Sequence, residues 1–287
     1  MNVDLHAHSV YSDGTLTPAE LLHLAEEKGL LALALTDHNT VAGLPEFMAA
    51  AENSTVEAVP GVEFSVNYGK VELHILGLFL GPDSYEEITA RMEDGCRCKE
   101  ESNLALVAAL AKSGYVLDYP AIKASTPNGA VNRAHIADAM VNAGYVSTSQ
   151  VAFDRILAPG NGYYNPPPRI DAFEALRMIR RLGGVSVLAH PYLNLKTDEA
   201  LRVFLAQAKE CGLDGMETTY SKFNAEQTAR LEAIADEFGL LRSGGSDFHG
   251  GTKPELDLGT GKGDLQIPDG YYLALKRRFA ERCAEEV

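Results

Sequence analysis

Positive charge is scarce in this chain. Its 287 residues hold 25 lysines and arginines against 40 aspartates and glutamates, a formal net charge of −15. A surface of that sign repels the phosphates of long nucleic acids and of anionic membranes, so neither is expected as a partner. A small phosphorylated substrate is still allowed, because bound divalent cations reverse the potential inside one pocket. Long apolar runs are also missing, and none approaches the roughly 20 residues of a membrane-spanning helix. Cysteine is sparse. Cys96, Cys98, Cys211 and Cys283 fit no zinc-finger spacing. Cys96 and Cys98 lie two apart in a helical stretch and do not face each other. All four read as free thiols of a reducing compartment. No secretion signal precedes the first strand, so the expected location is the cytoplasm and the expected state a monomer or small homo-oligomer. No internal repeat or low-complexity tract is visible.

What is present begins at once. Asp4-Leu5-His6-Ala7-His8-Ser9 reads as a strand. Alternation puts Asp4, His6 and His8 on one face and Val3, Leu5 and Ala7 on the other. Thr17-Pro18-Ala19-Glu20 carries a capping box and a proline at the first helical position. Helices at 18–28 and 43–52 alternate with strands at 3–8, 30–35, 56–64 and 71–80. A turn at 67–70 allows the last two strands to form a hairpin. Between 84 and 156 helical periodicity takes over, with helices at 85–113 (one or two), 132–143 and 149–157, and punctuation at 126–129 and 159–168. Alternation then returns: helices at 172–182, 199–211 and 225–238, strands at 184–189, 213–217 and 240–243. Strands separated by helices imply parallel βαβ units, and roughly seven strands imply a closed or nearly closed barrel. The expected division is a barrel of 1–82 and 166–287 with an inserted helical lid at 83–165.

Polar residues fall at one kind of place. His6 and His8 end the first strand, His38 follows the second and Glu63 ends the third. His74 lies on the next strand, His190 follows the fifth, and Asp247 and His249 follow the last. Function in barrels gathers beyond the C-terminal ends of strands. With Asp13 these make nine ligand-competent residues, too many for one ion and suited to three. Histidine with carboxylate favours manganese, iron or zinc. Metals about 3.5–4 Å apart are typical of phosphoryl chemistry. Taken singly, each residue has an ordinary reading. Asp13-Gly14 is a standard turn pair, His74 a core or surface histidine, Glu63 a solvated strand end and His23 a structural residue of a helix. Asp4 and Asp37 are expected to orient neighbouring imidazoles.

Four ordered motifs carry a resemblance: Asp4-Leu-His-Ala-His8 with Ser12-Asp13-Gly14; Thr36-Asp37-His38; Gly61-Val62-Glu63; and Ser246-Asp247-Phe248-His249. The chain resembles the PHP (polymerase and histidinol phosphatase) family of metal-dependent phosphoesterases over nearly its whole length. The resemblance implies a distorted (β/α)7 barrel with two or three divalent ions, manganese foremost. It implies that His6, His8, Glu63 and Asp247 hold the first ion. Glu63 then bridges to a second, also bound by His74 and His190, and Asp13, His38 and His249 hold a third. A hydroxide bridging the metals beside Glu63 and Asp247 would attack phosphorus. The inserted segment is similar to that of the 3′,5′-nucleoside bisphosphate phosphatases. There, Asn132-Arg133-Ala134-His135-Ile136-Ala137 matches an element that contacts substrate phosphate, with Ala134 in place of proline. Arg133 and His135 are the expected substrate contacts. The stretches 219–223 and 165–168 depart from that branch. Lys222 and Lys253 are lone lysines within reach of substrate anions. The expected reaction is removal of the 3′-phosphate from a nucleoside bisphosphate. The alternatives are opening of a phosphoribosyl 1,2-cyclic phosphate or 5′-3′ trimming of short RNA. An amidohydrolase would need a bridging carboxylated lysine, but Lys70 sits in a turn and Glu63 fills that role. A binding module without chemistry would be expected to have lost ligands.

Overall fold

The computed structural model describes residues 2–126, 131–158, 160–166 and 169–285, with the Cys96 side chain left aside. The expected breaks at 126–129 and 159–168 therefore lie partly outside the described residues, as does the Cys96 thiol. Cys98, Cys211 and Cys283 are free. The chain divides into two compact units, Met1–Ala90 with Ile170–Val287, and Arg91–Arg169. The first division falls inside a helix rather than at the end of a strand.

The first unit is built on seven strands in sequential order: β1 (Val3–Ala7), β2 (Ala32–Leu35), β3 (Glu57–Tyr68), β4 (Val71–Leu78), β5 (Val185–Leu188), β6 (Gly215–Tyr220) and β7 (Leu241–Gly245). Local chemistry starts and stops the helices between them. In α1 (Pro18–Glu27), Glu20 N donates to Thr17 Oγ1 at 3.2 Å and Thr17 N donates to the Glu20 carboxylate at 2.8 Å. That reciprocal pair satisfies two backbone donors no helical carbonyl can reach. α2 spans Leu44–Ala51, α7 Ala172–Arg181 and α8 Asp198–Glu210. α9 (Ala225–Phe238) repeats the capping box with Asn224 and Gln227, and stops at Gly239 in the left-handed conformation.

The sheet is not uniformly parallel. β1, β2 and β3 run parallel, as do β5, β6 and β7, but β4 runs antiparallel to both of its neighbours. The antiparallel β3–β4 pair is the hairpin that the turn at 67–70 allows, set among otherwise parallel neighbours. Tyr68 pairs with Val71, leaving only Gly69 and Lys70 between the strands. Two residues can reverse a chain but cannot carry it back to the start of a parallel neighbour. The barrel nearly closes where β7 meets β1. Ala7 bridges Phe248 in parallel, Asp247 N donates to His6 O at 2.9 Å and His8 N donates to Phe248 O at 2.9 Å. Gly245 permits this approach, since a Cβ there would overlap the backbone and Cβ of His6.

Val3, Leu5, Ala34, Val59, Leu76 and Val187 pack into one apolar cluster with Tyr272 and Leu275 of α10 (Asp269–Glu285). The sequence pattern gives no clear sign of α10. Its buried face is only Tyr272, Leu275 and Arg282, too thin a stripe to stand out as periodic.

The second unit is helical. α3 (Tyr85–Lys112) is one helix that begins in the first unit. It is followed by α4 (Tyr119–Ser125), likewise without a clear sign in the sequence, then α5 (Arg133–Asn142) and α6 (Ser149–Ala152). A π-helical turn over Phe153–Leu157 replaces the second half of the helix expected at 149–157. Leu106, Leu110, Ile136, Met140 and Leu157 are its buried core. Among the described residues, no helix is long and apolar enough to cross a membrane.

Candidate metal centre

β1, β3, β4 and the loops after β1, β2, β5 and β7 deliver the polar side chains to one place; Glu63 lies inside β3, which continues to Tyr68, rather than at its end as expected. Glu63 is fully buried and lies at the middle of the set. Its Oε1 takes His74 Nδ1 at 2.7 Å and His190 Nε2 at 3.0 Å. Its Oε2 faces His38 Nδ1 at 3.0 Å, His6 Nε2 at 3.2 Å and His8 Nε2 at 3.3 Å. Asp247 Oδ1 lies 3.2 Å from His8 Nε2 and 3.8 Å from His6 Nε2. Asp13 Oδ1 lies 3.2 Å from His249 Nε2. Four groups have ligand atoms all within 4.8 Å of one another: His8, Asp13, His38 and His249; His6, Glu63 and His190; His6, His8 and Asp247; and His38, Glu63 and His74. All nine expected ligands are thus brought together. The partition is less clean than the resemblance implies, because His6, His8, His38 and Glu63 each belong to two groups. His74 comes from the reversed strand. It reaches the site because β4 starts beside the end of β3, with His74 opposite Ser65.

The site is strained where the chain must present a ligand. Asp247 has φ +56° and His190 φ +28°, both in the left-handed region that non-glycine residues avoid. His190 also precedes Pro191, whose ring further limits its conformations. Such strain persists only where surrounding structure enforces it.

The electrostatics ask for a cation. Among the described residues, six buried side-chain polar atoms have no hydrogen-bond partner, and five are in this cluster: His6 Nε2, His8 Nδ1 and Nε2, His38 Nδ1 and Glu63 Oε2. Their close approaches lack hydrogen-bond geometry. A buried polar atom left without a partner costs about 1–3 kcal/mol, so five in one cluster mark a place built for something that all five can bind. Burial acts to lower the pKa of His74, but the charges of Glu63 and Glu72 outweigh it and push the imidazole up to about 9. His6 and His38 are raised in the same way, burial being outweighed by Glu63. Burial drives His8 down to about 3, leaving it neutral and free to donate a lone pair. Burial opposes ionisation of Glu63 and Asp247, yet the surrounding imidazoles hold both carboxyls below their usual range. Histidine nitrogens and carboxylate oxygens at these spacings fit divalent transition metals.

The supports of the cluster are not those expected. Asp4 accepts from Ser246 N at 2.9 Å and Gly259 N at 2.8 Å, and Asp37 accepts from Ser9 N at 2.7 Å and Ser9 Oγ at 2.6 Å. Both carboxylates clasp loops rather than imidazoles, because the nearest donors to a buried strand-end carboxylate are the backbone amides of the adjoining loop. Orienting falls to Glu217 on β6. Its Oε1 lies 2.9 Å from His6 Nδ1, and its Oε2 accepts from His190 N at 2.7 Å. A carboxylate on one ring nitrogen fixes which tautomer the other offers to a metal. The sequence holds a signal for it, an acid on a strand otherwise destined for burial. Tyr220 Oη donates to Asp247 Oδ2 at 2.8 Å and Lys253 Nζ does so at 2.9 Å, so that oxygen is anchored and Oδ1 faces the histidines.

Arg133 and His135 belong to the second unit. Asn132 N donates to His135 Nδ1 at 3.1 Å, which closes a capping box on α5. The Arg133 guanidinium lies 4.4 Å from the Tyr164 ring centroid and donates to Leu157 O at 3.3 Å. Lys222 is exposed on the loop after β6. His23 is exposed on α1 and pairs with Glu27 at 3.5 Å.

A nearly closed seven-stranded α/β barrel with six imidazoles and three carboxylates converging at its strand ends defines a metal-dependent hydrolase. The PHP domain profile matches residues 4–146. A 5′-3′ exoribonuclease of Haemophilus influenzae is 36% identical over 86% of this chain and 89% of its own length. A 3′,5′-nucleoside bisphosphate phosphatase of Chromobacterium violaceum is 30% identical over 90% of each. A crystal structure from Bifidobacterium adolescentis, assigned as a metal-dependent phosphoesterase, superposes with a TM-score of 0.74 at 31% identity over 96% of both chains. The chain belongs to the PHP family and is a hydrolase acting on phosphoester bonds.

Proposed function

We propose that this enzyme hydrolyses the P–O3′ bond of a nucleotide that also carries a 5′-phosphate, with a 3′,5′-nucleoside bisphosphate as substrate and nucleoside 5′-monophosphate and phosphate as products. The observation that carries the reaction class is the cluster of five buried, partnerless ligand atoms among His6, His8, His38 and Glu63. His6, His8, Asp13, His38, Glu63, His74, His190, Asp247 and His249 would hold two or three manganese ions. When bound, such ions supply Lewis acidity at phosphoryl oxygens and a water made nucleophilic near neutral pH. The protein's own part is positioning. Glu63 sits between imidazoles drawn from β1, the loop after β2, β4 and the loop after β5. Glu217 fixes His6, and Tyr220 with Lys253 turns Asp247 inward. Lys253, 2.9 Å from Asp247, adds the one ammonium paired with this cluster among the described residues. Water adds to phosphorus, the P–O3′ bond breaks, and the departing ribose oxygen takes up a proton. Arg133 and His135 are proposed to contact substrate phosphate on the family resemblance alone.

A second substrate has a specific observation in its favour. The Haemophilus relative, at 36% identity, is named a 5′-3′ exoribonuclease. Short RNA with a 5′-phosphate presents the same P–O3′ bond, with the next nucleotide in place of a hydrogen on the phosphate. A panel of adenosine 3′,5′-bisphosphate, 5′-phosphorylated di- and trinucleotides, nucleoside monophosphates, sugar phosphates and ribose cyclic phosphates tests both. Highest kcat/KM on the bisphosphate supports the proposal, and highest on the oligonucleotides supports the second reading. Preference for 5′-monophosphates or cyclic phosphates would overturn both.

A further inference from the structure

A groove of about 480 Å³ lies at the opposite ends of the strands from the histidine cluster. Its lining comes from the residues before β6 and β7 (Gly212 to Asp214, and Gly239), from the end of α7 and from α10. Its volume is within the range of small-molecule sites, about 300–1,000 Å³. In a chain of net charge −15, Arg180, Lys209, Arg277, Arg278 and Arg282 line it, against only Asp214 and Glu281.

These cations are not equally committed. Arg282 is buried and spent on Asp214 at 2.7 Å and on Gly184 O. Arg278 donates to the same Asp214 carboxylate at 3.0 Å. Lys209 donates to Gly239 O at 3.0 Å and to Phe238 O, at the end of α9. Among the described residues, the guanidinium groups of Arg180 and Arg277 have neither an ion-pair nor a hydrogen-bond partner. Arg180 passes close to the backbone before β6. Its side chain lies across Gly212, where a Cβ would sit 2.9 Å from Arg180 Cδ and where φ is +99°. Two planar forks of donors thus face a groove whose floor is already neutralised. Guanidinium pairs match phosphoryl oxygens in bidentate geometry.

We propose that this groove is a second anion site that binds a small oligophosphate, with Arg180 and Arg277 taking neighbouring phosphoryl groups and Lys209 at its edge. Two separate guanidinium groups select linked phosphates over a single one. The site is independent of the substrate proposed for the metal centre.

The test is titration of the metal-loaded, full-length enzyme with inorganic tripolyphosphate, read by calorimetry and by hydrogen exchange. Binding with exchange protection over 209–214 and 274–282 is expected, and orthophosphate binds at least about tenfold more weakly, as a lost guanidinium–phosphate pair implies. The R180A/R277A variant loses the protection and at least about tenfold in affinity, while its melting temperature and phosphoester hydrolysis stay unchanged, since both side chains are exposed. Tripolyphosphate that protects only the histidine cluster, or that binds the double variant as well as wild type, overturns the proposal. Orthophosphate binding as tightly as tripolyphosphate overturns the assignment to linked phosphates.

Discussion

At the N-terminal ends of the strands, the Asp214 side chain, 6% exposed, lies between Arg282 at 2.7 Å and Arg278 at 3.0 Å, and its other oxygen accepts from Ser186 N at 2.9 Å. At the C-terminal ends, Glu63 is buried among five imidazoles, and four of the surrounding ring nitrogens have no hydrogen-bond partner. Both ends take carboxylates out of water. Asp214 brings its cations with it, whereas the groups set against Glu63 are protonable rings. A buried charge with its partners in place holds the fold together. A buried charge without fixed partners costs stability and is kept for what it binds.

The largest expected effect separates the two ends by activity. His8→Ala or Asp247→Ala should fold but lose turnover by at least about a thousandfold, the order of several kcal/mol of lost transition-state stabilisation. Phosphate release with excess manganese checks this, and near-wild-type turnover would contradict the ligand assignment. Arg282→Ala should do the reverse. Leaving the Asp214 side chain with one guanidinium fewer should cost about 3–5 kcal/mol in denaturant unfolding, as for other broken buried pairs. The protein that remains folded should keep its metal content and its kcat. His8→Leu sharpens the contrast further: in the metal-free protein it should leave the melting temperature unchanged or raise it, because it removes two orphaned ring nitrogens.

Next in size is Glu217→Gln. It keeps the shape at His6 Nδ1 but removes the charge, and metal affinity should fall by about 10–100-fold. Competition with a chelating dye measures it, and unchanged affinity would return Glu217 to a purely structural role. The smallest effect is on pH. His74 is raised from 6.5 to about 9, and His6 and His38 are raised with it. A group raised in the folded state lends stability that is complete below its unfolded pKa and is lost as pH climbs through the folded one. The metal-free protein should therefore melt at progressively lower temperature from pH 6.5 to 9. Metal uptake at pH 7 should release protons from the same rings and tighten as pH rises. Thermal melts, and calorimetry in buffers of different ionisation enthalpy, read both, and proton uptake on binding would reverse the assigned charge states.

Much of the mouth was legible in the chain because its ligands obey local rules. His6 and His8, and Asp247 and His249, are spaced i, i+2 at strand ends, and Glu63 is an acid set among apolar residues of β3. The hairpin was legible in the turn at 67–70, although its consequence, a reversed β4 in the middle of the sheet, was not drawn from it. What escaped depends on contacts between distant segments. Glu217 looks like any acid on a strand until β6 lies beside β1. Asp4 and Asp37 sit next to histidines in sequence, yet they turn to the amides of Ser246, Gly259 and Ser9, which only the closed barrel brings near. The sharing of Glu63 among five rings has no signature in spacing at all. α10 stayed hidden because one of its few buried side chains is an arginine, Arg282, whose partner Asp214 lies far away in sequence.

The most direct measurement is the metal content of wild type and of the Asp247→Ala variant after equilibration with manganese and desalting. Two or three ions per wild-type chain, with at least one lost in the variant, is the result expected of a mouth whose buried acids and imidazoles await cations. Less than one ion per chain in wild type, or equal content in both proteins, would contradict it.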